Sequence, residues 1–246
     1  MIKIKNVSKY FGEIKALKNC SLRIKKGKIT AIIGPNGSGK TTLFNIISNI
    51  LKKDKGKIYF DNINLSKIKD FKVAKLGISR TFQNTELFRN LTIKDHFKIV
   101  MAKDNERLLF SLFKKEKDYQ TKIKDILKIV GLNKPLDTTI SNLSYGQKKL
   151  LGLAIALAQP HKVILLDEPV AGVSPLLKKQ IRKILQRLNR NGETICLIEH
   201  DMDFIMNLTD HIFVLNKGVV IAGGVPSSIK ANKEVLKLYL GYNKTL

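Results

Sequence analysis

Cysteine is nearly missing: only Cys20 and Cys196 occur, far apart and without metal-ligand spacing. Neither a disulfide framework nor a cysteine-held metal is indicated, and the expectation is two buried free thiols in a reducing cytoplasm. Long apolar runs are missing too. The longest, 153–158 and 163–166, fall far short of the roughly 20 residues that cross a bilayer. The opening Met1-Ile2-Lys3-Ile4-Lys5 alternates like a strand and lacks the apolar core of a signal peptide. Acidic residues are scarce, 20 Asp and Glu against 45 Lys and Arg, for a net charge of +25. Such an excess raises nucleic acid, anionic lipid or another polyanion as a partner. The lysines, however, are scattered over nearly every segment of a chain also rich in Ile and Asn, and no basic block dominates. The charge therefore reads as composition, and no specific nucleic-acid partner is expected. There is no internal repeat, low-complexity tract or Pro/Ser-rich linker. The 246 residues, 43% hydrophobic, suit one globular domain able to bury a sizeable core.

The pattern along the chain predicts short strands at 2–7 and 20–24, a buried strand at 29–33 ending at Gly34, and a helix from about Lys40. Further strands are predicted at 57–60 and 78–82. From about 84 to 158 helical periods replace them, most clearly at 93–102 and 119–130, with Ile123, Ile126, Leu127 and Val130 on one face. Strands at 163–166 and 194–198 then flank an amphipathic helix over 175–190. Unalternated apolar strands separated by helices imply a mostly parallel sheet covered on both faces. The expectation is one domain: an α/β core (1–83 and 159–246), an N-terminal antiparallel β region, and an inserted α-helical subdomain (84–158).

Gly34-Pro35-Asn36-Gly37-Ser38-Gly39-Lys40-Thr41 fits G-x-x-x-x-G-K-[ST] between a strand and a helix, with Thr42 next in the helix. The glycines let backbone N–H groups wrap a phosphate at the helix N-terminus. Lys40 would neutralise phosphate charge and the Thr41 hydroxyl would ligate Mg²⁺. The strand 163–166 runs into Asp167 and Glu168, which places both acids at the sheet edge where ligands of open α/β sheets bind. Asp167 suits the Mg²⁺ and Glu168 could polarise an attacking water. Gln83 ends a strand where the helical insertion begins. Ser144, in Leu143-Ser144-Tyr145-Gly146-Gln147, heads an Ala/Leu-rich helix and offers a second anion site with no phosphate of its own. His200 follows the strand 194–198, and Phe11 (or Tyr10), before the turn at Gly12, could stack on an adenine ring.

In their order, these elements resemble those of ABC-transporter nucleotide-binding subunits along essentially the whole chain. The phosphate loop 34–41, glutamine 83, signature 143–147, acidic strand 163–168 and switch histidine 200 all fall in place. The resemblance implies a phosphate-loop NTPase core, ATP and Mg²⁺ as ligands, and a head-to-tail dimer in which Ser144, Gly146 and Gln147 of one subunit cap ATP held by the other. It further implies that Gln83 senses Mg²⁺ and the water while linking to a permease, and that His200 contacts the γ-phosphate. Gly77-Ile78-Ser79-Arg80-Thr81-Phe82-Gln83-Asn84, Leu87-Phe88-Arg89-Asn90-Leu91-Thr92, Asp167-Glu168-Pro169-Val170-Ala171-Gly172 and the tail Leu238-Tyr239-Leu240-Gly241 are most similar to ATPase subunits of branched-chain amino-acid importers. Lipopolysaccharide-export ATPases share several of these segments, and soluble ABC ATPases acting on nucleic acid or ribosomes are a more distant alternative. An importer of this kind would have transmembrane permease subunits, a second ATPase (the same chain or a paralogue) and a periplasmic or extracellular substrate-binding protein as partners. The chain would then sit in the cytoplasm, on the inner face of the membrane. Three positions depart from the wider family pattern: Tyr145 where Gly is usual, Ser174 where Asp is frequent, and Lys148-Lys149-Leu150 after the signature.

Overall fold

The chain is seen in a computed structural model that describes residues 1–68, 73, 75–81, 87–101 and 112–240, with no side-chain description for 112–118 and 240. Gln83, residues 108–111 of the apolar run 108–113, and Gly241 lie outside the described residues.

Strands without alternation go to the middle. All five residues of β3 (Ile29–Ile33) are buried, as are those of β7 (Val163–Asp167) and β8 (Ile195–Ile198). They form a six-stranded sheet with β6 (Ile78–Arg80), β9 (His211–Asn216) and β10 (Val219–Gly224), in the order β10-β9-β3-β8-β7-β6. All neighbouring pairs but β9/β10 are parallel. The alternating strands β1 (Ile2–Phe11), β2 (Ile14–Ile24), β4 (Lys55–Phe60) and β5 (Ile63–Asn64) form a separate antiparallel sheet, in the order β2-β1-β4-β5. The buried side of this second sheet is set by Ile2, Ile4 and Val7 alternating with exposed Lys3 and Lys5.

Helix α1 (Lys40–Ile47) lies between the two sheets. Its Leu43, Phe44, Ile46 and Ile47 share one core with Ile2, Ile4, Ile24 and Phe60 from the antiparallel sheet and Ile32, Leu165, Cys196 and Ile198 from the parallel one. The other face of the parallel sheet, through Ala31, Ile33, Ile164 and Leu166, packs on α4 (Tyr145–Ala158) and α5 (Pro175–Arg190). Helices α2 (Ile93–Met101) and α3 (Leu112–Val130) extend that second core with Phe97, Ile123, Leu127 and Val130. A short α6 (Met202–Met206) and a later pair, α7 (Pro226–Ala231) and α8 (Lys233–Leu240), complete the described residues.

Several elements differ from the sequence expectation. β2 begins at Ile14 instead of 20, because an exposed edge strand need not be apolar on either face over its first residues. The β9/β10 hairpin is an addition to that expectation; its turn at Lys217-Gly218 has positive φ at both positions (45° and 80°), as a type I′ turn requires. β6 spans 78–80, shorter than 78–82. Both cysteines are free and buried, as expected.

Candidate functional site

The loop after β3 has little freedom in its sequence. Gly34 (φ 151°) lies so close to the Leu215 carbonyl that a Cβ would be 2.0 Å from its oxygen. A Cβ on Gly39 (φ 101°), the N-cap of α1, would stand 2.5 Å from the carbonyl oxygen of Ala16. The β1/β2 hairpin therefore lies against the loop. At its tip Phe11 is 48% exposed, with the Lys9 ammonium 5.4 Å from its ring centroid. Asn36 and Gly37 face solvent, while Ser38 is buried and its Oγ makes no hydrogen bond. Lys40 is buried and donates from Nζ to the carbonyls of Gly34 and Pro35, each at 2.9 Å. Burial lowers its pKa, and the charges of Glu168 and Asp167 act against that shift. Pro35 and Thr42 are half-buried and Thr41 is exposed.

The acidic strand meets this loop from below. Pleating puts Val163, Leu165 and Asp167 on the α1 side of the sheet. Parallel pairing sets Arg80 beside Leu165, one strand over. The Arg80 guanidinium then reaches Asp167 Oδ2 at 3.1 Å, Asn45 Oδ1 on α1 at 2.7 Å and Oγ of Ser48, the C-cap of α1, at 3.0 Å. The pair is deep, with side chains 6% and 1% exposed. Burial pushes the Asp167 carboxyl upward and Arg80 opposes the shift. Asp167 Oδ1 is buried and makes no hydrogen bond.

Glu168 leaves the strand in a left-handed conformation (φ 50°), its N–H bonded to the Ile198 carbonyl at 2.9 Å. That turn brings Oε1 to 3.2 Å from Nε2 of His200. Buried Glu199 organises both sides of this contact. Its Oε1 accepts from the Val170 N–H at 2.8 Å, and its Oε2 from the N–H of His200, also at 2.8 Å. Burial raises the Glu199 pKa despite these bonds.

The signature turn forms a capping box on α4. Ser144 Oγ accepts from the Gln147 N–H, and Gln147 Oε1 accepts from the Ser144 N–H at 2.9 Å. Gln147, read as a nucleotide contact, thus also fixes the helix start. Gly146 abuts α5: a Cβ there would be 2.4 Å from Leu177 Cδ2. Ser174, one of the three departures from the family pattern, caps α5 through the Leu177 N–H. The phosphate loop, Asp167, Glu168 and His200 gather at one end of the parallel sheet. The signature turn packs instead on the loop after β7, with Tyr145 Oη donating to the Ala171 carbonyl at 3.3 Å.

A groove opens beside Arg80, lined by Leu87, Phe88, His96, Ile99 and Ile155. Phe88 is 62% exposed at its rim. Buried His96 is fixed as the Nδ1–H tautomer, Nδ1 donating to the Thr92 carbonyl at 2.9 Å and Nε2 accepting from the Phe88 N–H at 3.0 Å. Arg80, Lys149 and Glu199 carry contacts to which the sequence reading assigned no role. Only the strand register, the helix packing and the turn after β8 reveal them. An arginine inside a short predicted strand and a glutamate ending an apolar one were the available signals.

The donor set fits a magnesium ion. One carboxylate with an unpartnered buried oxygen and one exposed threonine hydroxyl are hard oxygen ligands, suited to an ion that keeps waters and takes its other ligands from phosphates. Among the described residues no cluster of three His, Cys, Asp or Glu offers an all-protein cage.

A phosphate loop at the end of a buried parallel strand, with an Asp-Glu pair one strand removed and a histidine on the glutamate, defines a nucleotide-binding ATPase. The model of the ABC transporter family matches residues 17–171, and the chain belongs to that family. It is 35% identical over 245 residues to a probable branched-chain amino acid transport ATP-binding protein LivG of Archaeoglobus fulgidus, covering 98% of this chain and 95% of that one. The high-affinity LivG protein of Escherichia coli K12 is 31% identical over 249 residues, covering 98% of each. Among solved structures, a nucleotide-free ATP-binding cassette from an ABC transporter superposes with a TM-score of 0.85 at 35% identity, covering 97% of this chain and 98% of that one. A cassette in its ADP conformation gives 0.84 at 35%, covering 98% of both. The chain is therefore a nucleotide-binding, ATP-hydrolysing subunit of an ABC transport system. No helix among the described residues is long and apolar enough to cross a membrane.

Proposed function

We propose that this subunit hydrolyses ATP to drive a separate permease importing branched-chain or related amino acids. The observation that carries the chemistry is the 3.2 Å contact of Glu168 with His200 at the end of β7, beside the phosphate loop. Phosphoryl transfer asks mainly for positioning and neutralisation. Lys40 and the backbone of 34–41 take up phosphate charge, with Ser38 and Thr42 at the start of the helix. Glu168 accepts the proton of the attacking water and His200 orients the carboxylate and meets the terminal phosphate. Thr41 and Asp167, joined by Gln83, would hold Mg²⁺, which would supply neutralisation of phosphate charge. Phe11 stacks on the base.

Ser144, Gly146 and Gln147 act on the nucleotide of a second ATPase subunit. The exposure of Ser144 at the start of α4 supports that reading, since an exposed helix N-terminus favours an anion. The groove at Phe88 takes the permease, which brings the subunit to the inner face of the membrane. A substrate-binding protein outside the membrane would deliver the amino acid. The substrate class is supported by the near full-length similarity to the LivG proteins.

Reconstitution of the chain with its permease and binding protein in vesicles tests the reading. ATP-dependent accumulation of leucine, isoleucine or valine is the expected result. ATP turnover without uptake of any of them would remove the substrate assignment.

A further inference from the structure

Two of the departures from the family pattern, Tyr145 and Lys149, are one helical turn apart on α4, so their side chains meet. The Lys149 ammonium lies 5.6 Å from the centroid of the Tyr145 ring, within cation–π range. Both then reach the loop that carries Glu168. Lys149, only 7% exposed, donates from Nζ to the main-chain carbonyl of Glu168 at 2.9 Å. Tyr145 donates to the Ala171 carbonyl, and its ring covers Gly172, where a Cβ would be 3.3 Å from Cε1.

A buried ammonium gives up its hydration, so what it holds in place bears on why it is there. Glu168 supplies the reason. At φ 50° it occupies a region that non-glycine residues enter at a cost of order 1–3 kcal/mol and keep only when the surroundings hold them there. The Ile198 carbonyl holds the Glu168 N–H on one side, and Lys149 holds its carbonyl on the other. The peptide planes flanking the Glu168 Cα are thereby fixed, and with them the direction in which its carboxylate meets His200.

We propose that Lys149 is a positioning residue for Glu168, with Tyr145 clamping the adjoining residues 171–172, so that the first turns of the signature helix set the aim of the catalytic carboxylate. This rests on Glu168 being the group that activates water. The expected signature is a loss in kcat with KM and nucleotide affinity unchanged, because the clasp touches no part of the phosphate loop.

The test uses the full chain assembled with its permease, comparing Lys149→Met, Lys149→Arg, Tyr145→Phe and Glu168→Gln by steady-state turnover, fluorescent-nucleotide affinity and thermal melting. Lys149→Met keeps the stem and removes the donor. It should lower kcat about 10- to 100-fold, the scale on which misplacement by an ångström acts, with KM within about twofold. Lys149→Arg, which keeps a cationic donor, should recover most of that loss, and Tyr145→Phe should lower kcat a few-fold. Wild-type kcat in Lys149→Met beside an inactive Glu168→Gln would overturn the proposal and leave Glu168 in its role. Full turnover in Glu168→Gln would remove the role of Glu168, and this proposal with it. An equal loss in Lys149→Arg and Lys149→Met would reduce Lys149 to packing and also overturn it. Should Lys149→Met fail to fold, Lys149→Gln takes its place, its shorter polar side chain withdrawing the donor from the Glu168 carbonyl. It should fall in kcat alone, and normal turnover would again overturn the proposal.

Discussion

Replacing Arg80 by Met strips a buried ion pair of its cation while retaining most of the apolar stem. Three hydrogen bonds disappear together: those to Asp167, Asn45 and Ser48. Asp167 is left with its side chain 1% exposed and its 3.1 Å ion pair broken. Removing one member of a buried pair costs about 3–5 kcal/mol, most of it the uncompensated charge. For a chain of this size about 2–4 °C of melting temperature accompanies each kcal/mol, so a drop of roughly 6–20 °C is expected. Asp167→Asn alone should cost less, and adding it to Arg80→Met should restore part of the loss, because the orphaned charge is gone. A coupling of about 1–3 kcal/mol is the expected result of the double-mutant cycle. Urea or thermal denaturation of the four proteins measures it. A cost under about 1 kcal/mol for Arg80→Met, or strict additivity in the double variant, would refute the view that Arg80 joins β6, α1 and Asp167.

Other outcomes follow from separate parts of the molecule. A forced heterodimer of Lys40→Ala with Ser144→Arg should hydrolyse ATP although each variant alone does not, because one composite site stays intact; no recovery would argue against action across the dimer. Phe88→Asp should melt normally, since the ring is 62% exposed, yet lose co-purification with the permease; a folded variant with normal permease affinity would refute the docking assignment. For Asp201, partial burial raises the pKa, but the Lys178 ammonium and the Phe204 N–H outweigh it and hold the group low. Its stabilising contribution is then present above the unfolded value of about 3.9 and lost as pH falls through the folded one. Asp201→Asn, which can still cap α6, should cost about 0.5–1 kcal/mol at neutral pH and nothing in strong acid, as read from melts across pH. The thiol of Cys20, pushed up to about 12 by burial, and that of Cys196 should react with Ellman's reagent only after unfolding.

Contiguous features were legible in the sequence. The phosphate loop needs glycines, lysine and threonine at fixed spacing within one segment, and the strand 163–167 announces itself by five apolar or terminal positions in a row. The capping box of Ser144 and Gln147 is equally local. What escaped depends on strands meeting. Arg80 looks like one more basic residue in a lysine-rich chain until parallel pairing sets it beside β7. Lys149 was noted only as a departure, because its partner is a main-chain carbonyl 19 positions away, with no side-chain signature. Glu199 was passed over next to His200, since nothing in the sequence tells that its two oxygens close the turns at Val170 and His200. The β9/β10 hairpin differs: Asn216-Lys217-Gly218 carries a local turn signal in the sequence itself.

Steady-state turnover of Glu168→Gln, measured with the permease and alongside ATP binding, tests the central claim most directly. The isostere removes only the carboxylate proposed to accept the proton, so binding should persist, turnover should collapse, and a dimer holding ATP should accumulate. Turnover equal to that of the unaltered chain would contradict the account.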